Sequence, residues 1–333
     1  MRWVGIDEAG YGPNLGPLVM TAVVVDAESP GDDAISPALA PPARFWDDLR
    51  ETVCRAGGRD GRLWIDDSKA ILKGGKGRDR LVASCLAALD AAGHPLPDRL
   101  AALVEALCGT AALADPAELA RWLPADSEGV AWPGPEALER AASRHRHRPL
   151  EPRGGGWRIT RVRSVIVGPE RFNEALSRHG SKAGVHFEAF ARLLRDVWEL
   201  AADGQPTWVC GDKHGGRHYY GEPLGAAFPE ARIERGSEGP ALSEYRLEAP
   251  GRSMGLRLSP RADAQDGLVA LASIVSKTAR EGWMDVFNAF WAKRVPGLKP
   301  TAGYPVDAAR FRRVIEPASL ALGLEPRLWW RER

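Results

Sequence analysis

Val4-Gly5-Ile6-Asp7-Glu8-Ala9-Gly10-Tyr11-Gly12-Pro13 leads through Asn14 into Leu15-Gly16-Pro17-Leu18-Val19, and the reading of this stretch decides the fold. An apolar strand, Arg2 to Ile6, meets two adjacent acids, then a glycine-rich turn, then the β-branched run Val19 to Val25. Neighbouring strand residues point to opposite faces, so Asp7 and Glu8 share one site only if the backbone distorts there, which Gly10 and Gly12 permit. The turn is not a dinucleotide fingerprint. Its glycines at 10, 12 and 16 have the wrong spacing, Pro13 follows the second of them, and two acids stand where a pyrophosphate would be repelled.

Outward from this stretch, strands alternate with helices. Leu63 to Ile65 reads as a short strand running into Asp66-Asp67-Ser68-Lys69, and Trp157 to Val167 and Thr207 to Cys210 as further strands. Glu244 to Glu248 and Met254 to Leu258 flank Pro250-Gly251 as a hairpin. Helical spacing marks Phe45 to Arg55, Arg78 to Ala92, Val185 to Ala201 and, longest, Ala264 to Ala292, with at least one more helix after Asp307. Leu100 to Leu107, Pro116 to Leu123 and Pro135 to Ala142 read as short helices, residues 27 to 44 as a loop and Pro149 to Gly156 as a linker. This order predicts an α/β fold with a mixed sheet covered by helices.

The 333 residues, 44% hydrophobic and 27% charged, exclude disorder and a small disulfide-stapled scaffold. The four cysteines form no CxxC pair, which argues against a thiolate zinc site and fits reduced core thiols. No stretch is long and apolar enough to span a bilayer, and Asp7 and Glu8 interrupt any signal core, so a soluble cytoplasmic protein is expected. A net charge of +1 gives no long-range attraction to polyanions, so such binding must be local. Arg144 to Arg163 is locally basic, with seven arginines against the single acid Glu151; a solvated face is the plain alternative. His145 and His147 within it are a solvated pair rather than metal ligands.

Acids at the ends of apolar strands are the sequence form of a site that holds hard cations, because phosphodiester cleavage needs oxygen ligands converging from separate elements. Asp7 and Glu8, Asp212 after the Thr207 strand, and Asp263 before the longest helix fit that form. Taken singly, each reads first as a helix cap or a turn former rather than a ligand, Asp263 in particular as an N-cap.

Taken together, these residues resemble type 2 ribonucleases H, the ribonuclease HII and HIII group. The opening stretch is similar to that family's first motif, and Asp67-Ser68-Lys69 to its second. Ala262-Asp263-Ala264, ten residues ahead of Ser273 in Ala272-Ser273-Ile274-Val275-Ser276-Lys277, resembles the third, and Gly303-Tyr304 a short motif beyond it. The resemblance implies a ribonuclease H-like mixed β-sheet flanked by helices, with a two-metal site that cuts the RNA strand of RNA–DNA hybrids and leaves 3′-hydroxyl ends. It implies Asp7, Glu8, Asp212 and Asp263 as catalytic metal ligands for Mg²⁺ or Mn²⁺, with Asp266 a rival for Asp263 at the wrong spacing. Gly10, Tyr11, Gly12, Lys69, Ser273, Lys277 and Tyr304 become substrate-binding residues, Gly10 to Gly12 reading the ribose 2′-hydroxyl through the backbone.

Departures from the family pattern keep other readings open. Tyr11 stands where the family has Arg or Thr, Asp212 follows Gly211 instead of preceding a glycine, and no equivalent exists for Lys213-His214-Gly215-Gly216-Arg217. A ribonuclease H-fold nuclease of shifted specificity, for structured DNA or RNA, and a non-catalytic nucleic-acid-binding protein are the alternatives. The expected partner is nucleic acid, an RNA–DNA hybrid or DNA containing ribonucleotides, bound by a monomer with no membrane attachment. The expected organisation is one catalytic domain over 1–333, with a helical insertion at 93–156 and C-terminal helices; lesser surplus lies at 27–60 and 214–242.

Overall fold

The computed structural model describes residues 1–28, 41–58, 61–73, 76–109, 113–122, 132–134, 137–139 and 148–332. Strands are β1 (Arg2–Ala9), β2 (Leu18–Ala27), β3 (Val53–Cys54), β4 (Leu63–Trp64), β5 (Trp157–Val167), β6 (Thr207–Asp212), β7 (Arg232–Glu238), β8 (Ser243–Ala249) and β9 (Arg252–Ser259). Helices are α1 (Pro41–Asp48), α2 (Ser68–Leu72), α3 (Gly77–Ala91), α4 (Leu100–Cys108), α5 (Pro116–Ala120), α6 (Pro169–His179), α7 (Lys182–Leu200), α8 (Gly221–Ala227), α9 (Gly267–Ala292) and α10 (Pro305–Ala321).

The main sheet has the order β5-β2-β1-β6-β9-β8-β7. Its first three strands are antiparallel, β1, β6 and β9 run parallel, and β8 and β7 add an antiparallel edge. This is the mixed α/β sheet expected from the sequence. The pleat divides its strands between two cores. Val4 and Ile6 with Met20 and Val24 face Phe190, Leu193, Leu194 and Val197 of α7. Trp3 with Val19, Val23 and Val25 faces Leu268, Leu271, Ile274 and Val275 of α9.

α9 lies directly on β1 because Gly5 has no side chain. A Cβ there would come within 2.3 Å of the Leu268 carbonyl carbon. Beyond α9, Leu81, Cys85 and Leu89 of α3 and Leu103 and Leu107 of α4 join the same core, as does Trp122, which meets Phe287 and Phe290 edge-on at 5.1 and 5.2 Å. The described part of 93–156 therefore shares its apolar core with α9. The four cysteines form no disulfide and are buried or half-buried, as expected of core thiols.

Several expectations are corrected. The helix placed at Phe45 to Arg55 ends at Asp48, and the chain turns into β3, where Val53 and Cys54 are buried in a parallel pair with β4. Asp7 and Glu8 do not distort β1: its pairing with β2 runs unbroken through Asp7↔Thr21, Glu8↔Met20 and Ala9↔Val19. α6 and β7 are new; β7 reads Arg-Ile-Glu-Arg-Gly-Ser-Glu and, as an exposed edge, carries no apolar alternation.

The loop at 27–44 and the helices at Pro116 to Leu123 and Pro135 to Ala142 lie partly outside the described residues, and Arg144, His145, Arg146 and His147 wholly so. Of the other arginines, Arg148, Arg153 and Arg161 pair with Glu151, Glu51 and Asp196. Arg158 and Arg161 align with Asp26 and Val24 of β2, at the end of the sheet far from Asp7. Among the described residues no helix is long and apolar enough to cross a membrane.

Glu118, in α5, reaches across to the start of α6, where the N-cap Gly168 offers no side chain; its carboxylate accepts from the backbone N–H of Gly168 (3.0 Å) and Arg171 (3.1 Å). Burial nevertheless pushes this carboxyl from 4.5 up to about 7, against the pull of those donors and of Arg171. The folded state therefore holds the proton more tightly than the unfolded chain. The contribution of Glu118 to stability is full below its unfolded pKa of 4.5 and is lost as pH rises through about 7. Urea unfolding across that window should show stability falling with pH by on the order of 2 kcal/mol, a slope absent in Glu118→Gln. Gly5→Ala should lose about 1–3 kcal/mol or more in the same measurement, through forced displacement of α9.

Candidate active site

Because β1 is regular, its two acids leave from opposite faces at the strand's end. Asp7 goes to the α9 face, where it is buried. The Ser276 hydroxyl donates to the Asp7 backbone carbonyl (3.1 Å) and shares a 2.7 Å hydrogen bond with Thr21, which meets Ser164 at 2.7 Å. Ser273, one turn earlier on α9 and also buried, donates to Ser68 at the start of α2 (3.2 Å) and lies near enough to the Asp7 carboxyl to pull it down against the effect of burial. Glu8 goes to the α7 face, where its carboxylate lies 3.5 Å from Nε2 of the buried His186.

The other acids arrive from neighbouring elements. Asp212 ends β6, and its carboxylate accepts from the Lys213 N–H (2.9 Å). Asp263 lies in a single 3₁₀ turn, Ala262–Ala264, between β9 and α9. Asp67 caps α2 by accepting from the Lys69 N–H (2.7 Å).

Their electrostatics tie these acids together. Burial drives the Asp7 carboxyl well above the usual carboxylate range, and the charges of Glu8 and Asp263 raise it further. Asp212 is raised by burial and by Glu8, and Asp263 by burial, Asp67 and Asp212. Burial pushes Glu8 up as well, but His186 and the neighbouring Asp7 outweigh it and leave Glu8 below its ordinary value. Four acids from three strand or turn ends thus sit in one another's field, with Asp67 as a fifth beside Asp263. A buried group of like charges is relieved by a proton or by a cation, and a donor set made only of carboxylate oxygens suits a hard divalent ion. Among the described residues, no three acidic, histidine or cysteine side chains are grouped so that they could hold a metal ion as they stand.

The remaining sequence candidates fall around this cluster. Lys69 is exposed, and its charge favours ionised Asp263. Lys277 is engaged by Glu281 at 2.8 Å. Gly10 has φ +96°, and a Cβ there would meet the Pro17 carbonyl at 2.4 Å. Tyr11 packs edge-on against His186 with ring centroids 5.0 Å apart. Tyr304 is half exposed and follows Gly303, whose carbonyl accepts from the N–H groups of Asn14 and Leu15. That contact brings it beside the glycine-rich turn.

Asp266 takes the cap left open to Asp263: it accepts from the N–H groups of Leu268 (2.8 Å) and Val269 (3.1 Å) at the start of α9. Lys213 and His214 turn inward from the segment that follows β6, while Gly215 and Gly216 are exposed. Lys213 Nζ donates to the Gly239 carbonyl (2.6 Å) and Ser243 (2.7 Å), and the His214 ring lies 4.3 Å from His186 and 4.5 Å from Phe190. His186 was not legible in the sequence as a site residue; its only signal is a polar position within an apolar helix face.

No family model matches the sequence, and no curated protein matches it. Several solved structures align with the chain over nearly its whole length. Ribonuclease HII of Archaeoglobus fulgidus, in its PCNA complex, has 16% identity and a TM-score of 0.42 over 100% of this chain and 95% of that one. Ribonuclease H2 of Pyrococcus horikoshii has 15% identity and a TM-score of 0.44 over 99% and 92%. Bst ribonuclease HIII in complex with Mn²⁺ has 13% identity and a TM-score of 0.43 over 99% of this chain and 66% of that chain. These similar structures are type 2 ribonucleases H.

The two acids near α9 should separate cleanly by mutation. Asp266→Ala removes a buried cap and should cost about 1–2 kcal/mol in a thermal melt, with Asp266→Asn recovering most of it. Asp263→Asn should leave the melt within about 0.5 kcal/mol of wild type or stabilise it, because it removes a charge from a repelling group.

Proposed function

We propose that this protein is a metal-dependent endoribonuclease of the type 2 ribonuclease H kind, cutting the RNA strand of RNA–DNA hybrids and leaving 3′-hydroxyl ends. What most supports the reading is that Asp7 and Glu8 at the end of β1, Asp212 at the end of β6 and Asp263 in the turn before α9 lie near enough for Glu8 and Asp263 to raise the Asp7 carboxyl, Glu8 that of Asp212, and Asp212 that of Asp263. Sequence blocks in the order of that family support it, as does a mixed sheet with antiparallel β5, β2 and β1 continued by parallel β6 and β9. The same reading takes residues 1–333 as one catalytic domain, acting as a monomer, with the 93–156 segment as an insertion.

Asp7, Glu8, Asp212 and Asp263 would hold Mg²⁺ or Mn²⁺, which when bound supply a water of lowered pKa and charge stabilisation for the departing 3′-oxygen. The protein's own part is positional. Ser273 and Ser276 fix Asp7 from α9, and His186 holds Glu8 from α7. Lys69 lies on the exposed side of Asp263, where a phosphate oxygen can approach it. Tyr304 offers an exposed ring beside the glycine-rich turn for a sugar or base face. The backbone of Gly10 to Gly12 supplies donors for a ribose hydroxyl.

A second reading, a nuclease of shifted specificity, is favoured by one feature: the Tyr11 side chain is engaged with His186 and so offers no charged group at the position where the family has Arg.

Cleavage of end-labelled hybrid, duplex DNA and DNA with one embedded ribonucleotide, each with Mg²⁺ or Mn²⁺, separates the readings. Hybrid cleavage is expected, reduced by about 10²-fold or more in Asp7→Asn. A fully active Asp7→Asn protein would refute the assignment, and cleavage of all-DNA duplex would move it to the second reading. Divalent cation should raise the melting temperature of the wild type and not of Asp7→Asn, by linkage to a site that only the folded chain presents.

A further inference from the structure

The glycine-rich turn is fastened from beneath by the segment Trp329–Arg331. Leu15 and Trp330 form an antiparallel bridge. The Arg331 N–H donates to the Asn14 carbonyl (2.8 Å), and the Asn14 side-chain amide donates back to the Arg331 carbonyl (3.0 Å). The Arg331 guanidinium, fully buried, then donates to the carbonyls of Gly10 (2.5 Å), Tyr11 (3.1 Å) and Gly16 (3.4 Å) and lies 3.9 Å from the centre of the Phe172 ring.

This is an expensive way to hold a turn. Among the described residues Arg331 has no carboxylate partner, and burial together with the nearby positive charge of Arg280 pulls its pKa down to about 9. An apolar side chain of the same size would fill the space without desolvating a cation. What the guanidinium gives in return is control of two consecutive peptide planes. In a trans peptide the N–H points opposite the C=O, and the only cis bond among the described residues is Trp132-Pro133. Aiming the carbonyls of Gly10 and Tyr11 at Arg331 therefore aims the N–H groups of Tyr11 and Gly12 the other way.

Neither of those N–H groups has an acceptor among the described residues. The space next to Gly12 is open, since an added Cβ would meet nothing within 4 Å. Tyr11 leans on His186, which in turn holds Glu8, so the two donors lie beside the acid cluster.

We infer that Arg331 is a positioning residue: it turns the Tyr11 and Gly12 amides outward as a two-donor seat for a substrate oxygen, and thereby sets how strongly a ribose is preferred over a deoxyribose. The ribose part of this inference rests on the nuclease reading above; the backbone part does not. Arg331→Met keeps the length and the packing on Phe172 but removes every donor. Arg331→Lys keeps the charge and part of the reach.

The test compares kcat/KM for a hybrid with that for the same duplex carrying one 2′-deoxy sugar 5′ to the scissile phosphate. Wild type should lose about tenfold or more on that change, the size of a lost hydrogen bond to a buried seat, and Arg331→Met about threefold or less, with Arg331→Lys between them. The fall in Arg331→Met should appear in the all-ribose substrate, while its melt shows an intact fold. A folded Arg331→Met protein with the wild-type ratio would overturn the inference. If Arg331→Met does not fold, Arg331→Lys decides: a wild-type ratio there refutes the inference and a reduced one supports it.

Amide ¹H–¹⁵N shifts of Tyr11 and Gly12, without nucleic acid, test the strut separately. They should move in Arg331→Met, and unmoved shifts overturn it. A wild type that cuts no hybrid, but whose Tyr11 and Gly12 amides move in Arg331→Met, overturns the nuclease reading and leaves the strut standing.

Discussion

The seat of α9 on β1 is the constraint on which the site depends. Gly5 leaves room for the backbone of α9 at Leu268 and Val269, and only at that separation do Ser273 and Ser276 reach Asp7. Packing and site geometry are thus one interaction. A larger residue at 5 would lift the helix, strip the Asp7 carbonyl of its hydroxyl partner and change the spacing between Asp7 and Asp263, which lies in the 3₁₀ turn just ahead of α9. Protein interiors respond to such a change by shifting whole elements, because they have no slack at the scale of a methyl group.

Around that seat the chain collects charges it does not neutralise internally. Asp7, Asp212 and Asp263 are all raised by burial and by a neighbouring acid, and Lys277, the nearest lysine on α9 by sequence, is spent on Glu281. Local supports offset part of that: Ser273 beside the Asp7 carboxyl, His186 for Glu8, and a backbone N–H for Asp212. Elsewhere the fold treats charge in the opposite way, pairing Arg2 with Asp26 and Asp203 and ending α6 with Arg178 and His179 against Glu188. The unpaired acids are therefore a local property of the site, not a habit of the molecule.

Elements with a strong apolar period were legible along the chain. Trp157–Val167, Gly77–Ala91 and the Ser243–Ser259 hairpin lie within a residue or two of where alternation and helical spacing put them, because burial on one face leaves a periodic mark. Where burial leaves no such mark the reading failed. β7 is polar on both faces, and β3 is two residues whose partner strand is nine residues away. Adjacent acids at 7 and 8 called for a distorted strand on the pleat rule alone. The strand is regular instead, so Asp7 turns to α9 and Glu8 to α7, and each meets its own partners there, Ser276 and His186.

The sequence alone determined the sheet-and-helix class, which follows from residue type and period, and it singled out Asp7, Glu8, Asp212 and Asp263 as candidates beside a glycine-rich turn through the resemblance of short motifs. Only the tertiary structure decided that Asp266 rather than Asp263 caps α9, that His186 stands behind Glu8, and that Arg331 holds the turn at Gly10 and Tyr11. The physical reason is separation along the chain. A buried histidine 178 positions from its acid, or an arginine 320 from the carbonyl it grips, has no local pattern, and the packing of the sheet against α7 and α9 is what creates the contact.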